Sequence, residues 1–336
     1  MPSFDFDFQR YVARRKGARE AEVREGAAYA YAGDLKVLRT LDRLRPVTLA
    51  LEAAVRLWRT RARAELLGTA IRVHEKQFPE VHRAATHAAA TLHVAVPTVY
   101  VSPRLAAGAY TFGTADEAAI VIDAALVTAL APRELDFVIG RECGHLQNGH
   151  VPFRTTLYLL QHFDDTFMRW IVTPAVAALG AWSRRAAVTA DRAGLLCMRD
   201  VDAACAALVK ATLPESRPDV TVDDEAYQMV ARREAALRVF AESAYYCGVT
   251  GEAGGQPAET CDARVAEILG KGTGSRGAAA EPPGETTPPA DPHGSPGASG
   301  SPGTTGTSGT SGTTGTPGAS DPSGTTGPNG TNGTRR

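Results

Sequence analysis

The stretch Glu134–His150, ELDFVIGRECGHLQNGH, holds the residues best suited to chemistry. In an α-helical His-Glu-x-x-His run the first and fifth residues lie about one turn apart, so two imidazoles there reach one metal ion. The glutamate in second place lies roughly 100° further round the helix and polarises a metal-bound water as general base. Two of those three positions are present, Glu142 and His145, and the first is Arg141. A guanidinium stays protonated in proteins and has no lone pair to offer a metal. The stretch has the outline of a hydrolytic metal helix with one ligand missing.

The surrounding residues predict how this stretch is held. Pro132 suits a first helical turn, and Leu135, Val138, Ile139 and Leu146 form an apolar stripe at helical spacing. A second stretch follows, Ser183–Cys197, SRRAAVTADRAGLLC, in which Ala187, Asp191, Gly194 and Met198 share one helical face. That face of small residues predicts a close approach to the Glu134–His150 helix.

Together the two stretches resemble the HtpX-like and CAAX prenyl protease family of gluzincin metallopeptidases. That family pairs an H-E-x-x-H helix with a later S-R-x-x-E-x-x-A-D segment whose glutamate is the third zinc ligand. Ser183, Arg184, Ala190 and Asp191 match here, with Arg192 following, but the ligand position holds Ala187. Upstream, PTVYVSPRLAAGAYTFGTADEAAIVIDAAL (Pro97–Leu126) is similar to the family's strand and hairpin bordering the substrate cleft. Ala109, Tyr110, Thr111 and Phe112 fall on that cleft edge, and the family's asparagine before the Ala-Tyr pair is Gly108. The likeness covers Ile71–Thr212. It implies a mainly helical α+β fold, a zincin-like metallopeptidase domain with a small β-sheet and hairpin.

What the resemblance implies for chemistry turns on the ligands. A catalytic zinc site uses three protein ligands and an open position for water. By this correspondence His145 is the one ligand position retained, while Arg141 and Ala187 mark two that are lost. Without the metal, Glu142 keeps the general-base position with no acidified water to act on. Glu142 and Asp191 would then face each other half-buried, which is costly unless a partner arrives. Arg141 is expected to supply it, forked onto Asp191 or Glu142 where the ion would have been. No cofactor is expected on this reading; zinc is expected only if unorthodox ligands complete a site. His150 is assigned near the site, but five residues past His145 is poor spacing for sharing one ion. Cys143, roughly 200° round the helix from His145, is expected in the core. His74, His82, His87 and His93 are not spaced as i, i+4 pairs and are expected to be scattered.

Composition sets the wider bounds. The chain has 336 residues and a net charge of −1, which argues against a nucleic-acid surface. Met1–Lys16 lacks an apolar signal core, and Phe4, Phe6, Phe8 and Tyr11 are expected to pin it to the domain. Five cysteines without a C-x-x-C pair fit a reducing cytoplasm. Residues 1–70 read as a helical region packing on the main domain, with Leu35, Leu38 and Leu41 at helical spacing and Pro46 marking a break. Residues 71–271 read as the metallopeptidase-like domain. Within it the sequence predicts a helix near Val81–Leu92, strands at Thr98–Ser102 and Ala119–Asp123, and helices over Val201–Thr212, Asp224–Tyr246 and Glu259–Leu269. Met229, Val230, Leu237 and Phe240 are expected to face inward. Trp170–Trp182, the most apolar run, contains Pro174 and is too short to span a bilayer. It reads as buried helix, with peripheral membrane contact through this run as a lesser option.

Residues 272–336 contain no Leu, Ile, Val, Met, Cys or aromatic residue and cannot build a core. Glycine recurs every third residue from Gly294 to Gly333, interrupted once by Asp321, which is collagen-like spacing. With few prolines this segment is expected to be a disordered tail, and homo-oligomerisation through it is not expected. The sequence alone therefore favours a pseudoprotease that binds a polypeptide in the cleft or regulates a partner. An active zinc endopeptidase with non-standard ligands is the alternative, and a tail-mediated scaffold the second alternative.

Overall fold

The computed structural model of the chain describes residues 26–59, 63–103, 105, 108–114, 117–162, 169–213 and 224–270. Phe4, Phe6, Phe8, Tyr11 and the Gly-rich segment after residue 270 lie outside the described residues.

The described elements are mainly helical, with one small sheet. In chain order they begin with α1 (Ala32–Leu41), α2 (Arg45–Leu57) and α3 (Arg63–Leu67). Next come β1 (Ile71–Arg72), α4 (Pro79–Thr91), β2 (Thr98–Ser102), β3 (Ala109–Gly113), β4 (Ala118–Asp123) and α5 (Ala124–Ala129). The two site helices and the one between them are α6 (Pro132–Gln147), α7 (Val151–His162) and α8 (Arg169–Met198). The series closes with α9 (Val201–Thr212), α10 (Asp224–Ala241), α11 (Ala244–Thr250) and α12 (Ala258–Gly270).

The sheet runs β1-β2-β4-β3. β2 and β4 are parallel in the register Thr98↔Ala119, while β3 pairs antiparallel with β4 as a hairpin. Strand alternation sorts its side chains onto two faces. Val99, Val101, Ile120 and Ile122 join the main core beneath α4 and α6. Phe112 and Val121 point the other way, onto Trp58 at the C-terminal end of α2 and Leu159 of α7.

α6 starts where its sequence requires. Pro132 sits in the first turn, and the Glu134 carboxylate accepts from the backbone N–H of Ala131 at 2.8 Å. The helix is not a surface amphipath, because every residue from Glu134 to His145 is buried. The apolar stripe at Leu135, Val138 and Ile139 is one side of an element covered all round by α4, α8, α9 and the sheet. Its helical run also stops earlier than the sequence suggests, at Gln147, where Asn148 and Gly149 (φ +69°) turn the chain back.

Ser183–Cys197 and the apolar run before it form one helix, α8, with Pro174 inside. Ala175, Leu179, Trp182 and Ala186 are fully buried against Leu41 of α1, Val47 and Ala50 of α2, and Phe153 and Leu157 of α7. This burial leaves those residues of the run no lipid contact. No helix among the described residues is long and apolar enough to cross a membrane. α10 likewise ends before Tyr246, because Ser243 accepts from the Tyr246 N–H and starts a new helix there. Val230, Leu237 and Phe240 are buried, and Met229 is half-buried.

Small residues bring α6 and α8 into contact. A methyl at Gly194 of α8 would lie 2.7 Å from the Phe137 carbonyl oxygen and 2.8 Å from Arg141 Cγ. A methyl at Gly144 of α6 would meet Ala193 Cβ at 2.6 Å. Gly180 in the same α8 has nothing within 4 Å. The two glycines should therefore respond with opposite signs. Gly194→Ala should destabilise by about 1–3 kcal/mol through overpacking, less the roughly 1 kcal/mol that alanine gains in a helix. Gly180→Ala should stabilise by about 0.5–1 kcal/mol. Chemical denaturation midpoints of the two variants check both signs.

Candidate functional site

Arg141, Glu142 and His145 leave α6 on neighbouring turns and are all buried. Arg141 Nε donates to Asp191 Oδ1 of α8 at 2.7 Å. It makes this single bond rather than a fork, because a second arginine has taken the forked position. Arg233 of α10 donates from Nε to Asp191 Oδ2 and from Nη2 to Asp191 Oδ1, each at 2.7 Å. Burial first, and then the Arg233 charge, lower the pKa of Arg141, while Asp191 and Glu142 oppose the shift. Ala187, which the resemblance sets at a second ligand position, is half-buried and presents only a methyl group.

Glu142 is fully buried. Its Oε2 accepts from Thr111 Oγ1 of β3 at 2.7 Å and from Arg154 Nη2 of α7 at 3.4 Å. Its Oε1 has no hydrogen-bond partner. Arg154 also contacts His145, its Nη1 lying against Nε2 of the ring. The guanidinium stacks on Tyr110 at 4.0 Å from the ring centre, and Tyr110 Oη donates to the Arg154 carbonyl at 2.9 Å.

His145 and His150 meet through Nδ1 at 2.9 Å. The turn at Asn148–Gly149 makes this contact, so His150 is outside the helix rather than a residue further along it. Asn148 anchors the turn, its Nδ2 donating to the Gly144 carbonyl and its Oδ1 accepting from the Ala27 N–H. His150 Nε2 lies 3.1 Å from Asp34 Oδ2 of α1, close but outside hydrogen-bond alignment. Asp34 accepts from Trp182 Nε1 at 2.8 Å and Thr189 Oγ1 at 2.6 Å, both on α8.

The protons along this chain follow from one fact, that arginine only donates. Arg154 facing His145 Nε2 makes that nitrogen the acceptor, so the proton of the neutral ring is on Nδ1. That proton goes to His150 Nδ1, which leaves the His150 proton on Nε2, toward Asp34. Burial first, then the charges of Arg154, His150, Arg141 and Arg233, lower the His145 pKa well below the usual imidazole value. His145 is therefore neutral, with both ring nitrogens engaged.

Zinc does not fit these residues. The Nε2 lone pair of His145 is filled by an arginine N–H, and the neighbouring ligand positions carry a guanidinium and a methyl. Among the described residues no group of three or more His, Cys, Asp or Glu is arranged to hold a metal ion. Cys143 is in the main core, where burial pushes its thiol up and out of the nucleophilic range. His87 bonds the Cys197 carbonyl and His74 a backbone N–H, each away from the site.

Of the expected site residues, Arg141, Glu142, His145, His150, Asp191 and Thr111 come together. Phe112 is buried on the opposite face of the sheet, with Trp58. Ala109 and Tyr110 keep partial exposure. Three residues of the site are additions to the sequence reading: Asp34, Arg154 and Arg233. Arg154 carries a signal, a lone cation in the apolar run VPFRTTLYLL. Asp34 and Arg233 sit in ordinary polar surroundings and carry none.

A buried Glu-x-x-His helix crossing a second helix, with a small mixed sheet alongside, defines the metallopeptidase class of fold. The family model described as Peptidase family M48 matches residues 75–252, more than half of the chain, and the chain belongs to that family. It is similar to the plastoglobule-localized metallopeptidase 48 of Arabidopsis thaliana chloroplasts, 30% identical over 150 residues. That match covers 44% of this chain and 44% of the relative, so the chain spans less than half the length of the curated relative it matches. No solved structure matches the chain.

Two outcomes follow from the site's charges. Asp191→Asn leaves Arg141 and Arg233 buried without their anion and should cost about 3–5 kcal/mol, read from urea midpoints. His145 has a folded pKa below its unfolded value, so the unfolded chain binds the extra proton. Stability from this group is complete above about pH 6.5 and falls by up to about 1.4 kcal/mol per pH unit below it. Midpoints measured between pH 8 and 5 should show that slope, and His145→Asn should remove the part due to this ring.

Proposed function

We propose that this chain is a peptidase M48-fold protein that has lost zinc and hydrolysis and acts as a binding or regulatory module. The observation that carries the reading is Arg154, whose guanidinium contacts both the His145 ring and the Glu142 carboxylate. A cation that cannot be a Lewis acid is set against the retained ligand and the general base together. The site is also closed to substrate, because Glu142 and His145 are at most 1% exposed.

A polypeptide partner would use the free edge of the sheet, where β3 is the outer strand. α7 is laid over one end of that edge, its Thr155 hydroxyl accepting from the Gly113 N–H at 3.0 Å. The Ala109–Tyr110 end is the part this reading assigns to a partner. A reducing, cytoplasmic setting is supported by five free and buried cysteines.

Metal analysis tests the reading. The purified chain should carry no stoichiometric zinc at neutral pH and should not cleave casein; stoichiometric zinc with chelator-sensitive cleavage would overturn it. Arg141→His with Ala187→Glu should still fail to bind zinc, because Arg154 continues to occupy His145 Nε2. Adding Arg154→Leu to that pair should admit the ion, with an affinity gain of at least about 100-fold by calorimetry.

A further inference from the structure

We propose that the exposed faces of α1 and α2, with the turn between them, are a docking surface for an anionic lipid bilayer. The inner faces of the two helices are committed to the core, through Asp34 and Leu41 on α1, Val47, Ala50 and Ala54 on α2, and Trp58 just past it. The outer faces carry the charge. Lys36 and Arg39 on α1, Arg43 in the turn after it, Arg45 and Arg56 on α2 and Arg59 just past α2 are all exposed. Residues 36–59 hold six cations against two carboxylates, Asp42 and Glu52, in a chain whose overall charge is −1.

Two further features give the surface a lipid character. Lys36, Arg39 and Arg43 border a groove of about 360 Å³ that is also lined by Ala32, Leu35 and Thr40, wide enough for a phosphate headgroup. Leu44, between Arg43 and Arg45, is 41% exposed, and Leu49, one turn beyond Arg45, is 48% exposed. Cations that meet headgroup phosphates, with leucines between them that enter the acyl boundary, are the two components of an interfacial site. A polyanion such as nucleic acid would use the arginines and leave both leucines in water. The exposed leucines therefore favour the bilayer.

The test is sedimentation of the full chain with vesicles of phosphatidylcholine alone, and with about one-third phosphatidylserine added. Binding to the anionic vesicles should exceed binding to the neutral ones at least about 10-fold and should be released by about 0.5 M salt. Arg43→Glu with Arg45→Glu should lower it at least about 10-fold, and Leu44→Ser with Leu49→Ser about 3-fold or more. All four side chains are exposed, so near-UV circular dichroism should be unchanged in both variants. The proposal is overturned by absent binding, by equal binding to the two vesicles, or by charge reversal without effect. An unaffected leucine variant also overturns it, in favour of a general polyanion surface. The zinc content of the protein does not enter these measurements, so they stand apart from the reading of the M48 site.

Discussion

The arrangement of the site depends on one side chain that can only donate hydrogen bonds. Arg154 faces the His145 ring and the Glu142 carboxylate, and because it only donates, the proton of the neutral His145 ring is on Nδ1, toward His150. A metal ion beside His145 would have demanded further lone pairs around it. A guanidinium makes no such demand, which is why Arg141 and Ala187 are compatible with a well-packed interior. The stack of Arg154 on Tyr110 then ties α7 to β3.

Charge balance makes this burial sustainable. Arg141, Arg154 and Arg233 are set against Asp34, Glu142 and Asp191, all six buried. Each arginine reaches a carboxylate directly, and Asp34 is joined to the rest through His150 and His145. In a low-dielectric interior any one of these groups left alone would be far more costly than the pair it forms. The interior between α6, α7, α8 and α10 thus holds arginines from three helices, each paired with a carboxylate. Close contact of α6 and α8 at Gly140, Gly144 and Gly194 excludes water from that volume.

Much of the fold is legible in the sequence because its signals are local. β2 and α9 begin and end where the sequence predicts, and β4 differs by one residue, since alternation and capping operate over a few positions. The small face at Gly194 foretells the α6–α8 contact for a similar reason, glycine having no side chain to hold a neighbour off. Local signals fail where two of them overlap. The helical pattern through His150 hides a stop at Asn148–Gly149, and Ser243 breaks a run that reads as one helix.

The sequence by itself determined what is missing from the site: an arginine and an alanine stand at positions where only lone-pair donors serve a metal. Arg141 is read from residue identity and helical spacing, and Ala187 from the resemblance of Ser183–Cys197 to the family's second segment. Only the tertiary structure decided what fills the space. Asp34, Arg154 and Arg233 come from three separate helices, and Asp34 and Arg233 lie 199 residues apart in the numbering of one chain. Electrostatic pairing acts through space and favours whichever opposite charge the fold delivers, so no periodicity along the chain can announce it.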